Sequence, residues 1–110
     1  LTADTKNLVN ADRINSMKST AVLINTARGP VVDSQALANA LNEGRLAAAG
    51  IDVFEIEPPI DPAHPLCHAK NTVVTPHIAF ASKEALEIRA GIVFDNITAW
   101  MDGKPQNLVK

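Results

Sequence analysis

Apolar and polar positions along the chain follow two alternating rhythms. Residues 11–17 place Ile14 and Met17 on one face at helical spacing, which predicts a short helix. Ala21-Val22-Leu23-Ile24 follows, an uncharged run that does not alternate, and this predicts a short strand covered on both faces. Asp33 is placed to cap a helix whose Leu37 and Leu41 share a face and whose end is marked by Gly44. Leu46 to Val53 gives a second buried run, rich in Ala and Gly, that lets a helix or a ligand come close. From Pro58 to Pro65 the prolines allow neither a regular helix nor a central strand. Thr72-Val73-Val74-Thr75 reads as a third strand, stopped by Pro76. Ser82 then caps a long helix in which Ala85, Leu86, Ile92, Val93, Ile97 and Trp100 recur at helical spacing until Gly103.

Branched strands alternating with amphipathic helices predict an α/β fold, a partial Rossmann-like parallel sheet with flanking helices. Three strands make a narrow sheet, so the chain is expected to be a piece of something larger. Composition agrees with a globular class, since 46% of the 110 residues are hydrophobic and no segment is of low complexity. The net charge of −2 and scattered basic residues argue against nucleic acid or an anionic membrane as partners. No apolar run approaches the roughly 20 residues that span a bilayer. The first residues, Leu1-Thr2-Ala3-Asp4, resemble no signal or transit peptide. Cys67 is the single cysteine, so no intrachain disulfide forms, and a cytoplasmic location is expected.

Ligands in open α/β sheets bind beyond the C-terminal strand ends. Three segments fall there: Asn25 to Pro30, Asp52 to Pro59 and Pro76 to Phe80. In the first, Arg28 is either a surface residue or a grip for a carboxylate, which a guanidinium holds with two parallel hydrogen bonds. In the second, Asp52, Glu55 and Glu57 could orient a histidine, bind a cation or face water. No Cys/His cluster with zinc spacing accompanies them, so no metal is expected. The third carries His77, either a structural histidine or a proton donor poised near neutral pH. An Arg for a carboxylate, a His for a proton and a Glu beside the His would together suit carbonyl reduction. His64 and His68 read as ordinary loop residues.

Blocks along nearly the whole chain resemble the D-isomer-specific 2-hydroxyacid dehydrogenases. They include Leu23-Ile24-Asn25-Thr26-Ala27-Arg28-Gly29, Val31-Val32-Asp33, Asp52-Val53-Phe54-Glu55, Glu57-Pro58, Pro65-Leu66 and Thr75-Pro76-His77-Ile78. The resemblance implies an oxidoreductase using NAD, with NADP also open, on a small 2-oxo or 2-hydroxy acid. It gives Arg28 the substrate carboxylate and carbonyl. His77 takes the acid/base role, and Glu57 rather than Glu55 pairs with His77 and tunes it. Cofactor contacts carry over to Thr26, Ala27, Arg28, Asp52, His77 and Ala79, with Asp52 near the nicotinamide carboxamide. Where the family usually has Gly after His-Ile-Ala, this chain has Phe80, whose ring the resemblance sets to crowd the nicotinamide or close over the substrate. Residues 1–110 would be the C-terminal portion of a dinucleotide-binding domain, N-terminally truncated. The phosphate-cradling Gly-x-Gly-x-x-Gly turn does not occur among its five glycines, and the family's substrate domain is also absent. The resemblance further implies a homodimer in the intact protein and an isolated chain with little or no turnover. The alternative it leaves is an NAD-sensing scaffold or transcriptional corepressor, since such relatives can keep the same Arg, Glu and His.

Overall fold

The computed structural model describes residues 1–109, which form two compact units, one from Leu1 to Ile78 and one from Ala79 onward. The first contains a parallel sheet of β1 (Val22–Asn25), β2 (Ala48–Ile51) and β3 (Thr72–Val74), in that spatial order. Asn25 lies beside Ile51 and Ile51 beside Val74, so all three strands end at one edge. The segment from Asn7 to Val9 runs along residues 30–33, with Val9 bridging Val32.

The helices start and stop where short polar side chains replace missing backbone partners. In α1 (Ala11–Asn15), Asn10 Oδ1 accepts from the Arg13 N–H at 3.1 Å, and Ile14 is buried. In α2 (Ser34–Asn42), Asp33 Oδ1 accepts from the Ala36 N–H at 2.9 Å. Leu37, Ala38, Ala40 and Leu41 of α2 all enter the core. Just past the helix, Gly44 turns the chain at φ +72°, a conformation other L-residues resist.

One core unites Leu37 and Leu41 with Leu23, Ala49 and Ile51 of the sheet, Ile14 of α1, and Leu46, Phe54 and Leu66. The expectation that β1 is covered on both faces fails. Leu23 and Asn25 point into the core, whereas Val22 and Ile24 are 59% and 71% exposed. The core packs on a single face of the sheet, and Val73 of β3 is exposed as well. An apolar run therefore marks β1 correctly but does not report which faces are covered.

The Pro-rich stretch also departs from expectation at its end. A one-turn helix, α3 (Pro65–His68), begins on the last proline, where the missing N–H has no helical partner to lose. Leu66 anchors α3 in the core. In the second unit, Ser82 Oγ accepts from the Ala85 N–H at 3.1 Å and starts α4 (Lys83–Met101), which is followed by Gly103 at φ +69°. The apolar residues of α4 do not collect into the expected stripe. Ile88, Phe94 and Met101 fall outside it, and no residue of the helix is buried. Arg89 lies over the Phe80 ring, 5.5 Å from its centroid. Among the described residues, no helix is long and apolar enough to cross a membrane.

One glycine is required by space alone. A Cβ on Gly29 would lie 2.0 Å from the carbonyl carbon of Phe54, so the loop after β1 touches the loop after β2 only because residue 29 has no side chain. Gly29→Ala is expected to lower stability by about 1–3 kcal/mol, as overpacking of a tight contact does. Chemical denaturation measures it, and an unchanged midpoint would contradict the packing described.

Candidate active site

The sheet places the ends of β1, β2 and β3 side by side, and each carries polar groups immediately beyond the last paired residue. After β1, buried Asn25 shapes its own loop. Its Oδ1 accepts from the Ala27 N–H at 3.1 Å, and its Nδ2 donates to the Arg28 carbonyl at 3.0 Å. This local turn leaves Thr26, Ala27 and Arg28 exposed. The Arg28 guanidinium donates to the Ala27 carbonyl at 2.7 Å. The sequence identified Thr26, Ala27 and Arg28 but gave Asn25, which builds the loop, no role of its own.

After β2, Asp52 is 3% exposed and joins its neighbours on both sides. Its N–H donates to the Asn25 carbonyl at 3.0 Å. Its Oδ1 accepts from Thr75 Oγ1 at 2.5 Å and from the Ile78 N–H at 2.8 Å. Those two donors bracket His77, whose φ of 55° lies in the left-handed region. Histidine is among the residues that tolerate this region better than most, but holding it there still costs energy. The His77 N–H donates to the Thr75 carbonyl at 3.1 Å, tightening the turn.

Glu57 meets His77. Its Oε2 lies 2.6 Å from His77 Nδ1, while its Oε1 accepts from the Phe54 N–H at 2.5 Å. The two side chains are 23% and 38% exposed respectively, so the pair sits at the rim rather than in the core. The Phe54 N–H is the main influence holding the Glu57 carboxyl below its ordinary range. Partial burial opposes it, and His77 and the Arg28 charge add to the lowering. A cavity of about 140 Å³ is lined by Glu57, Pro58, Ile60, Pro76 and His77. Arg28, Glu57 and His77 are thus carried on neighbouring strand ends of one unit. Ala79 begins the second unit.

Glu55 has separate partners. Ser34 Oγ donates to its Oε1 at 2.6 Å, and His64 Nε2 lies 2.9 Å from its Oε2. Burial would raise the Glu55 carboxyl, but the hydrogen bonds from Ser34 and His64 outweigh it and hold it low. His64 is therefore no ordinary loop residue. It caps α3, meets the Phe54 ring edge-on at 5.0 Å, and pairs with Glu55. His68 closes α3 and donates from Nε2 to the Pro62 carbonyl at 2.6 Å. The histidine reading failed because all of these partners come from loop closure, which spacing does not reveal.

No group of three or more His, Cys, Asp or Glu side chains among the described residues is arranged to hold a metal. Thr26 and Ala27 are exposed with small side chains at the end of β1, and the main-chain N–H of Asp52 joins that end from the neighbouring strand.

Known proteins resemble this chain along most of its length. The family described as D-isomer specific 2-hydroxyacid dehydrogenase, NAD binding domain, matches residues 1–79. A glycerate dehydrogenase of Methylorubrum extorquens is 51% identical over the whole chain, which covers 35% of that protein. Among solved structures, an acyclic imino acid reductase in complex with NADPH and D-Arg superposes with a TM-score of 0.89 at 34% identity, over 100% of this chain and 34% of that one. D-lactate dehydrogenase from Aquifex aeolicus, complexed with NAD and lactic acid, gives 0.79 at 31% identity, over 94% and 35%. The chain therefore spans about a third of the length of the relatives it matches.

The lowered carboxyl of Glu57 has a definite consequence for stability. A carboxyl that ionises more readily folded than unfolded stabilises the fold above its ordinary value of 4.5. That contribution disappears as pH falls below 4.5 and through the lower folded value. Glu57→Gln is expected to make the acid-side loss of stability shallower than in the parent, measured by denaturation from neutral pH downward. Superimposable acid limbs would show that Glu57 carries no such linkage.

Proposed function

The chain belongs to the D-isomer specific 2-hydroxyacid dehydrogenase family, and from that premise we propose that residues 1–110 are the C-terminal portion of the dinucleotide-binding domain of an NAD(P)-dependent oxidoreductase interconverting small D-2-hydroxy acids and 2-oxo acids. The observation that carries this reading is the 2.6 Å contact between Glu57 Oε2 and His77 Nδ1, on the sheet edge that also bears Arg28. Carboxylate oxygens accept only, so Nδ1 bears a proton and the exchangeable proton of the reaction is assigned to Nε2.

In this mechanism Arg28 exchanges its bond to the Ala27 carbonyl for the substrate carboxylate and polarises the neighbouring carbonyl. His77 gives its Nε2 proton to the carbonyl oxygen and takes a proton back from the hydroxyl in the reverse direction. Glu57 keeps the ring in one orientation and offsets the positive charge of its protonated form. Bound NAD(P)H supplies the hydride. Thr26, Ala27, Arg28, Asp52 and His77 would hold it.

The names of the relatives support a glycerate, glyoxylate or lactate type of substrate. They support both cofactors, since NADPH and NAD each accompany a structural neighbour. A homodimer in the cytoplasm, without nucleic acid or membrane partners, completes the reading. The single cysteine and scattered charge support its last parts.

The full-length protein is expected to oxidise NADH or NADPH in the presence of a panel of 2-oxo acids that includes glyoxylate, hydroxypyruvate and pyruvate. Tight cofactor binding without turnover on any acid would reject the enzyme in favour of a nucleotide-sensing scaffold. Arg28→Lys should lower kcat/KM by about ten- to a hundredfold, because an ammonium cannot reproduce the two-pronged charged hydrogen bond. Near-normal efficiency in that variant would remove Arg28 from the substrate carboxylate.

A further inference from the structure

Two carboxylates leave the turn after β2 two residues apart and go to different partners. Glu57 turns to the Phe54 N–H and His77. Glu55 turns to Ser34, the first residue of α2, and to His64, the cap of α3. His64 Nδ1 accepts from the Leu66 N–H at 3.3 Å, so its proton sits on Nε2 and is donated to Glu55. Glu55 therefore accepts from two side-chain donors supplied by two different helices. The N-terminus of α2 favours that negative charge further.

These contacts close a loop. Residues 55–64 leave and return to the same place, and Glu57 lies within them. The returning His64 ring also packs edge-on against Phe54, whose N–H holds Glu57. The turn is thus held at both ends through Phe54 and Glu55, with Ile60 packed against the core and the Pro62 carbonyl held by His68 between them. Ser34, Glu55 and His64 also line a second hollow of about 510 Å³, with Asp33 and Asp61 on its wall. Both aspartates are engaged locally, Asp33 by the Ala36 N–H and Asp61 by the Ala63 N–H.

We propose that Ser34, Glu55 and His64 form a hydrogen-bonded bridge that positions Glu57 against His77, three positioning residues outside the Arg-Glu-His set. Its kinetic consequence rests on the functional reading above, but its geometric consequence does not. Glu55→Ala removes both bonds. Glu55→Gln preserves them, because the amide oxygen accepts from His64 while the amide nitrogen donates to the Ser34 hydroxyl, which can reverse its direction.

The test follows two readouts in the full-length protein. The first is the NMR signal of the His77 ring, with its Nδ1 proton bonded to Glu57. The signal is expected to move and broaden in Glu55→Ala and to stay near its parent position in Glu55→Gln. The second is turnover of a 2-oxo acid. There kcat should fall about tenfold in Glu55→Ala, the scale set by a slightly misplaced catalytic group, and the acid limb of the rate profile should shift while the cofactor KM holds. Glu55→Gln should restore both.

A folded Glu55→Ala protein with unchanged His77 signal and unchanged rate profile overturns the proposal. If Glu55→Ala does not fold, Ser34→Ala breaks one of the two bonds, and an unmoved His77 signal in that variant overturns it equally. A parent protein without turnover, whose His77 signal nonetheless responds to Glu55→Ala, would reject the enzyme reading and leave the positioning bridge standing.

Discussion

Asp52 holds the three strand ends together. Its N–H reaches back to Asn25 at the end of β1, and its carboxylate reaches forward to Thr75 and Ile78 on either side of His77. A carboxylate this buried is costly unless it is hydrogen-bonded, and the two donors it receives are those that fix the turn after β3. The left-handed backbone of His77 costs on the order of 1–3 kcal/mol, and it persists because this bracket over-determines it. Loss of the Asp52 carboxylate would therefore release the His77 turn, while the main-chain N–H of residue 52 would still tie β2 to β1.

A second constraint comes from crowding. Gly29 lets the loop after β1 lie against the carbonyl of Phe54, whose N–H in turn holds Glu57. Arg28, one residue before that contact, and Glu57, three residues beyond it, are positioned through the same short stretch of backbone. The site is therefore assembled mainly by main-chain groups and buried side chains with no chemical role. The exposed groups, Arg28, Glu57 and His77, are presented by that frame.

Much of the frame was legible from local rules. Asp33, Ser82, Gly44 and Gly103 marked helix ends because capping and left-handed turns are local chemistry. Branched runs marked β1 and β3, and an apolar run rich in Ala and Gly marked β2. What failed depended on distant partners. Val22 and Ile24 are indistinguishable in type from buried strand residues, yet they face outward because the core fills only one side of the sheet. Likewise α3 escaped notice because Pro65 opens the helix that a proline inside it would have broken. His64 looked idle because Glu55 is nine residues away, across a closed loop. The distinction between Glu55 and Glu57 came from family resemblance alone. Spacing offered no means of telling them apart, whereas the structure gives each its own donors.

His77 is the proposed proton-exchanging group, with Glu57 holding its ring. His77→Asn in the full-length protein is the sharpest probe, because asparagine also accepts the left-handed backbone and so leaves the turn intact. NAD(P)H affinity and single-turnover reduction of a 2-oxo acid would be measured together. Cofactor binding is expected to be largely retained and the hydride-transfer rate lowered by about 10²–10⁴-fold, the usual contribution of a general acid. A folded variant that binds cofactor and reduces the acid at nearly the parent rate would contradict it.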